Sequence, residues 1–144
     1  MRIRDILDQK GHDVVKTTPD GTVLEAMQVL NEHNIGAVVV VEGEAIRGIL
    51  SERDVLRLGG GDPALLSSTP VGEAMTRDVI VGFPDDEIHT AMGVMTKNRI
   101  RHLPVVADGE LLGIVSIGDL VNACWQEAAD ENRHLKDYIR GSVS

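Results

Sequence analysis

Gly48-Ile49-Leu50-Ser51-Glu52-Arg53-Asp54, and again Gly113-Ile114-Val115-Ser116-Ile117-Gly118-Asp119, decide how this chain is read. Each segment is a short apolar run ending in Gly-h-h-Ser-x-x-Asp (h, apolar), the signature of a strand that feeds the start of a helix. The two lie 65 residues apart, and that spacing holds well beyond them. Residues 13–54 slide onto 78–119 without a gap, and 14 of the 42 pairs are identical, among them Asp13/Asp78, Pro19/Pro84, Ala26/Ala91, Met27/Met92, Ile35/Ile100 and Val40/Val105. Two copies are too few for a solenoid, which needs about three or more repeats. They predict a closed pair with pseudo-twofold symmetry, in which each copy covers the face the other cannot bury.

Both copies show the same order of elements. Residues 14–17 and 79–82 are β-branched runs ending at Pro19 and Pro84, and read as strands entering a turn. A helix follows, with Val23, Ala26, Met27 and Leu30 on one face of the first copy and Ile88, Ala91, Met92 and Met95 on one face of the second. Thr22 and Glu25 are spaced as a capping box, and Asp85 and Asp86 stand near the positive end of the second helix. Strands at 35–41 and 45–50 pair across Glu42-Gly43-Glu44, and strands at 103–106 and 111–115 across Asp108-Gly109, a strong hairpin signal. A second helix covers 52–58 in one copy and starts at Gly118 in the other. The unit is β-α-β-β-α, and the fold class is α+β. Short helical stretches at 3–7 and 71–75 precede the copies. Gly59-Gly60-Gly61-Asp62-Pro63 closes the first copy. The division is a first unit at 1–60, a linker at 61–70 and a second unit at 71–144, whose long last helix extends to 139 with Gly141 as its stop.

Bulk properties narrow the partners. No apolar run reaches the roughly 18 residues of a membrane span, and the first residues lack the apolar core of a leader peptide. The single cysteine, Cys124, builds no disulfide framework, which suits a reducing cytoplasm. A net charge of −9 argues against non-specific binding to nucleic acid or anionic membrane. Phe83, Trp125 and Tyr138 are too few aromatics for a base-stacking platform. A small anionic ligand held by a few local cations stays open. Each copy alone, at about 60 residues, would bury only some 60% of its unfolded surface, so neither half is expected to stand by itself.

The Ser-x-x-Asp turn carries two readings. A helix N-terminus offers free N–H groups and a positive dipole end to a phosphate. The serine hydroxyl can donate to a phosphate or ribose oxygen, and the aspartate can accept from the vicinal hydroxyls of ribose. The same spacing is also a capping box that serves only the chain's own amides. Duplication does not separate the two, since a cap is copied along with its repeat.

The whole arrangement resembles the CBS domain, present here twice as a Bateman module. The likeness rests on the two Gly-h-h-Ser-x-x-Asp segments, on Val-x-x-x-x-Pro-Asp at 14–20 and 79–85, and on Arg101-His102-Leu103-Pro104-Val105-Val106. It covers about residues 2–125. Glu52-Arg53-Asp54, residues 98–102 and residues 135–140 look like a subgroup of stand-alone CBS pairs from bacteria and plant organelles. The resemblance implies two related adenosyl-ligand sites in a cleft between the units. It assigns ribose to Asp54 and Asp119, ribose or phosphate to Ser51 and Ser116, and adenine to the surroundings of Lys16, Thr17 and Val38 in copy one and Val81, Gly82 and Leu103 in copy two. Arg53, Arg101, His102 and Lys16 are the phosphate candidates. Copy two has Arg101, His102 and Pro104 where copy one has Gly36, Ala37 and Val39, and copy one has Arg53 where copy two has Gly118. Two unequal sites are therefore expected.

Other features read as structural. His12, His33, His89 and His134 are expected at the surface, and the five histidines form no zinc-type cluster. His102 is open between ligand contact and structural hydrogen bond. Cys124 has no evident base partner, Gly59-Gly60-Gly61 lacks the Lys-Ser/Thr of a P-loop, and the methionines fall mostly at core spacing. The expectation is a cytoplasmic, non-enzymatic CBS pair, a homodimer, that senses AMP above all, with ATP, ADP, NAD(H) or S-adenosylmethionine as other ligands, and acts on an unknown regulated protein. No cofactor or metal is called for. The alternative is an interaction module with a vestigial ligand site, suggested by Trp125, Leu135 and Tyr138 on the last helix.

Overall fold

The computed structural model describes the backbone of residues 1–143 and the side chains of residues 1–132. The elements follow in the order α1 (Ile3–Lys10), β1 (Lys16–Thr17), α2 (Val23–His33), β2 (Ala37–Glu42), β3 (Ala45–Ser51), α3 (Glu52–Gly61), α4 (Leu65–Ser68), α5 (Val71–Ala74), α6 (Ile88–Asn98), β4 (His102–Ala107), β5 (Glu110–Ser116) and α7 (Ile117–Val143). The class is α+β, with one three-stranded sheet in the order β1-β2-β3 and one two-stranded sheet of β4 and β5.

The hairpins repeat down to their irregularities. Ala37 pairs with Ser51 and His102 with Ser116, and each ladder shifts register at the same place, between Val40 and Val41 and between Val105 and Val106. Asp108 and Gly109 both have positive φ, 52° and 77°, as a two-residue turn of matching twist requires.

The first strands are where the copies part. β1 pairs in parallel with β2, and Val39 N–H donates to the Val15 carbonyl at 3.3 Å. The expected strand at 79–82 is reduced to a single bridge, Gly82 to Val105. The cause is Pro104, the counterpart of Val39: it has no N–H, so one rung of the ladder is lost. Only the bonds that flank it survive, Gly82 N–H to the Pro104 carbonyl and Val106 N–H to the Gly82 carbonyl.

Smaller differences follow from local chemistry. Thr22 accepts from the Glu25 amide, but the reciprocal half of that box is not made. Asp85 and Asp86 lie before α6, whose N-cap is Glu87. Asp86 closes a turn on the Phe83 amide, and Asp85 pairs with Arg4. The three glycines at 59–61 are helical and end α3. Residues expected as linker contain α4, whose Leu66 side chain lies about 3.1 Å from where a Cβ on Gly59 would stand. The last helix runs through Gly141 to Val143.

There are two cores, and the chain crosses between them. One gathers Val23, Ala26, Leu30, Val38, Val40, Leu50 and Val55 of the first copy with Val71 from α5. The other gathers Ile88, Ala91, Met95, Leu103, Val105, Val115, Leu120 and Ala123 of the second copy with Ile3, Ile6 and Leu7 from α1. Each copy is thus completed by the helix that precedes the other in the chain. The docking bonds match: Val71 and Gly72 N–H donate to the Gly21 and Pro19 carbonyls, as Ile3 and Arg4 N–H donate to those of Asp86 and Pro84. In this pairing Ile3 corresponds to Val71 and Leu7 to Met75, an offset of 68 rather than 65 residues.

Candidate functional site

Val38, Val40 and Leu50 point into the first core, so alternation turns Val39 to the other face of the hairpin. Val39 is fully buried and its counterpart Pro104 is buried too, yet neither belongs to a core cluster. These are the faces by which the two units meet. Contact is close at Gly36, where a Cβ would stand 2.9 Å from His102 Nε2 and 3.7 Å from the Glu52 carboxyl carbon.

Beside this seam lies a cavity of about 440 Å³, within the ordinary range for a small-molecule site. Its first wall is the Ser-x-x-Asp turn of copy one with α3: Ser51, Glu52, Arg53, Asp54, Leu56 and Arg57. Its second wall is the strand entrance of copy two: Arg99, Ile100, Arg101 and His102. Gly36, Ile49 and Thr76 complete it. Arg53, Arg101 and His102, whose allocation between sites the sequence left open, all serve this one cavity.

Both motifs form capping boxes. Ser51 N–H and Ser51 Oγ donate to Asp54 Oδ2 at 2.9 and 3.1 Å, while the Asp54 amide donates back to Ser51 Oγ. Ser116 N–H donates to Asp119 Oδ2 at 2.8 Å, and the Asp119 amide donates to Ser116 Oγ at 3.0 Å. The cap does not exhaust Asp54, whose Oδ1 has only a long bond from the Thr76 hydroxyl, at 3.4 Å. That oxygen, on a half-buried residue in the cavity wall, can take a hydroxyl from outside the chain.

The electrostatics single out the same place. Four guanidinium groups, from Arg53, Arg57, Arg99 and Arg101, line the cavity against the carboxylates of Glu52 and Asp54. None of the four makes an ion pair among the described residues. A local excess of positive charge on a chain of net charge −9 has an anion as its natural complement. The N-terminus of α3 adds its dipole to it. Burial is the main reason that the His102 pKa lies below its usual 6.5; Lys10 and Arg101 push the same way, while Glu52 and Asp119 oppose. His102 makes no side-chain hydrogen bond among the described residues and stands at the cavity wall.

The second motif is in different surroundings. Lys10 Nζ donates to Asp119 Oδ2 at 2.7 Å and to the Ile114 carbonyl at 2.8 Å. Burial alone would raise the Asp119 carboxyl, but Lys10 and the Ser116 amide outweigh it and hold its pKa below the ordinary 3.8. The space there is only about 160 Å³, lined by Ile6, Gln9, Lys10, Asp119, Asn122, Ala123 and Gln126.

Several sequence candidates lie elsewhere. The side chains of Val38 and Leu103 are buried in the two cores and line neither cavity. Lys16 and Thr17 sit on β1, Val81 beside the Gly82 bridge, and Pro104 in the seam; none lines the main cavity. Gly82 is pressed against Leu103 and Ile3, with no room for a Cβ. Cys124, for which the sequence offered no base, has His89 Nδ1 at 4.0 Å but directs its thiol to Met92 Sδ at 3.2 Å. The side chains of His134, Leu135 and Tyr138 lie outside the described residues. Among those described, no helix is long and apolar enough to cross a membrane.

Sequence reasoning missed Arg57, Arg99 and Thr76. Arg57 had a signal, being four residues after Arg53 and so on the same face of α3. Arg99 had a subtler one. It caps α6 in the left-handed region at φ 56°, where its counterpart Asn34 has φ 53°. Asparagine tolerates that conformation, whereas other non-glycine residues lose about 1–2 kcal/mol there. The less suitable residue stands where its guanidinium reaches the cavity. Thr76 had none, since the α5 crossover brings it.

The chain is a tandem of β-α-β-β-α units that meet face to face, with one motif turn opening on a cationic cleft. The model of the CBS domain matches residues 3–61 and 71–126, and the chain belongs to that family as a CBS pair. It is 40% identical to the mitochondrial CBS domain-containing protein CBSX3 of Arabidopsis thaliana, over 96% of this chain and 72% of that one. It is 36% identical to CBS domain-containing protein YhcV of Bacillus subtilis, over 86% and 89%. The crystal structure of the CBS-domain containing protein ATU1752 from Agrobacterium tumefaciens superposes with a TM-score of 0.82 at 40% identity, covering 85% of this chain and 98% of that one. The CBS domain pair of protein MJ0100, in complex with 5′-methylthioadenosine and S-adenosyl-L-methionine, superposes with a TM-score of 0.76 at 25% identity, over 85% and 98%. An inosine-5′-monophosphate dehydrogenase of Methanocaldococcus jannaschii shares 33% identity, but over only 21% of its length.

Proposed function

We propose that the cavity between the units binds a phosphorylated adenine nucleotide and that the chain is a non-enzymatic, cytoplasmic regulatory module. The observation that carries this reading is the convergence on one cavity of Ser51 and Asp54 with four arginines that make no ion pair among the described residues. In the bound state Asp54 Oδ1 accepts from a ribose hydroxyl, Ser51 donates to a sugar or phosphate oxygen, and Arg53, Arg57, Arg99 and Arg101 neutralise the phosphate. Arginine suits that task because its planar fork meets two phosphate oxygens at once. The ligand complex of the MJ0100 pair supports the adenosyl class. The arginines favour AMP, and ADP, ATP or NAD(H) after it, over S-adenosylmethionine, which carries a sulfonium cation and no phosphate.

Binding would reach a partner protein by shifting the packing of the two units, which requires unequal affinity for two arrangements. A second reading, an interaction module with a vestigial site, draws on Leu56, Val121 and Trp125, which are 73%, 42% and 74% exposed. The first two are repeat counterparts, and the face they mark suits a homodimer.

Titration calorimetry with AMP, ADP, ATP, NAD(H) and S-adenosylmethionine separates the two readings. A charge-assisted hydrogen bond is worth about 1.5–3 kcal/mol, so Asp54→Asn and Arg101→Ala should each weaken nucleotide binding on the order of ten- to a hundredfold. No heat from any nucleotide at millimolar concentration would leave the interaction reading.

A further inference from the structure

The two Ser-x-x-Asp turns share the motif and the reciprocal bonds of the cap, but differ in what surrounds them. Asp54 shares its cavity with four arginines, Arg53 and Arg57 on its own wall and Arg99 and Arg101 on the other. Their repeat counterparts are Gly118, Asn122, Asn34 and Gly36, so the repeat brings no guanidinium to the second turn, and none lines the space there. In their place is one ammonium, that of Lys10, held between Asp119 Oδ2 and the Ile114 carbonyl. It comes from α1, whose eight residues exceed the four of α5 by one turn. That turn is what carries Lys10 to the motif. In copy one the chain after α5 is extended instead, and Thr76 exchanges two backbone bonds with Ile49. Asp54 is therefore left with a hydroxyl neighbour, and Asp119 with a cation.

We propose that Lys10 is the built-in occupant of the second Ser-x-x-Asp site, leaving this chain one ligand site where the repeat would suggest two. The inference rests on the reading above only in taking each motif aspartate as an acceptor for a sugar hydroxyl. Lys10 donates to Asp119 Oδ2, the oxygen that the Ser116 amide also uses, so its hold on the site is not through the outer oxygen: it matches the carboxylate's charge and fills the small space beside it. The depressed pKa of Asp119 fits a carboxylate whose charge is already matched. With no arginine among the described residues that line it, the vacated site would take a nucleoside without phosphate.

Backbone amide spectra of the full chain, titrated with AMP and separately with adenosine, read the two sites independently. In the wild-type protein AMP should shift the amides of Ser51, Asp54 and Arg101 with a stoichiometry of one, and adenosine should leave Ser116, Gly118 and Asp119 unmoved. In Lys10→Met adenosine should shift those three amides with at least a tenfold gain in affinity. Lys10→Gln, which removes the charge but retains a donor for Ile114, should fall between. A wild-type stoichiometry of two with shifts at Asp119 overturns the inference. So does silence at 116–119 in both variants when their native spectra are intact. Silence at Ser51 and Asp54 under AMP counts against the proposed function and leaves Lys10 as occupant to be judged by the adenosine arm.

Discussion

At the scale of single residues, the informative side chains are those that the chain's own needs leave unused. Ser51 and Asp54 satisfy a cap and still present a carboxylate oxygen, which is why the sequence could name them but not choose between cap and ligand. His102 is legible as unusual beside Arg101, but its burial against Gly36 is not. Burial lowers its pKa, so the unfolded chain binds the proton that the folded one rejects. Stability therefore rises with pH across the window between the lowered folded value and the ordinary 6.5. Thermal unfolding between pH 7 and pH 5 should show wild-type stability falling with acid from about 6.5 downward. His102→Asn should flatten that fall, and an unchanged slope would place the titration elsewhere.

At the scale of elements, the motif glycines have a role that the motif does not advertise. A Cβ on Gly48 would stand 2.6 Å from Met75 Sδ and 2.7 Å from the Thr76 carbonyl oxygen. A Cβ on Gly113 would stand 2.7 Å from Leu7 Cδ2, and its three nearest atoms would all belong to that side chain. Both glycines are seats for the crossing segment, but only Gly48 has backbone among its nearest neighbours. Gly48→Ala should lose about 1–3 kcal/mol in chemical denaturation, the ordinary cost of overpacking. Gly113→Ala should lose less, because Leu7 can change rotamer. Equal losses would contradict the seating. The 65-residue repeat made the helices and hairpins readable, since periodicity and turn residues are local. It hid the crossovers, whose register is 68 residues and whose partners are distant.

At the scale of the whole molecule, two small cores depend on each other's leading helix. A chain cut between α3 and α4 leaves Ile3, Ile6 and Leu7 of the first part without a core, and the first core without Val71. Expressed separately, residues 1–61 and 62–144 should show no cooperative melt, and together they should recover one. A cooperative transition in either part alone would show that the crossovers are dispensable. Lost burial is the physical reason, because units of this size stand close to the limit of independent stability. The same crossing makes the molecule asymmetric, since α1 is long enough to deliver Lys10 and α5 is not.

The sequence by itself determined the repeat, the α+β class, the two hairpins and the two Ser-x-x-Asp turns, because each is written in residues near one another along the chain. Only the tertiary structure decided that Arg53, Arg57, Arg99 and Arg101 share one cavity, that Val38 and Leu103 turn inward, and that Lys10 meets Asp119 across 109 residues of chain. Those outcomes depend on which faces two packed units turn to each other. A repeat makes such faces similar, and three-dimensional packing then sets each against a different neighbour.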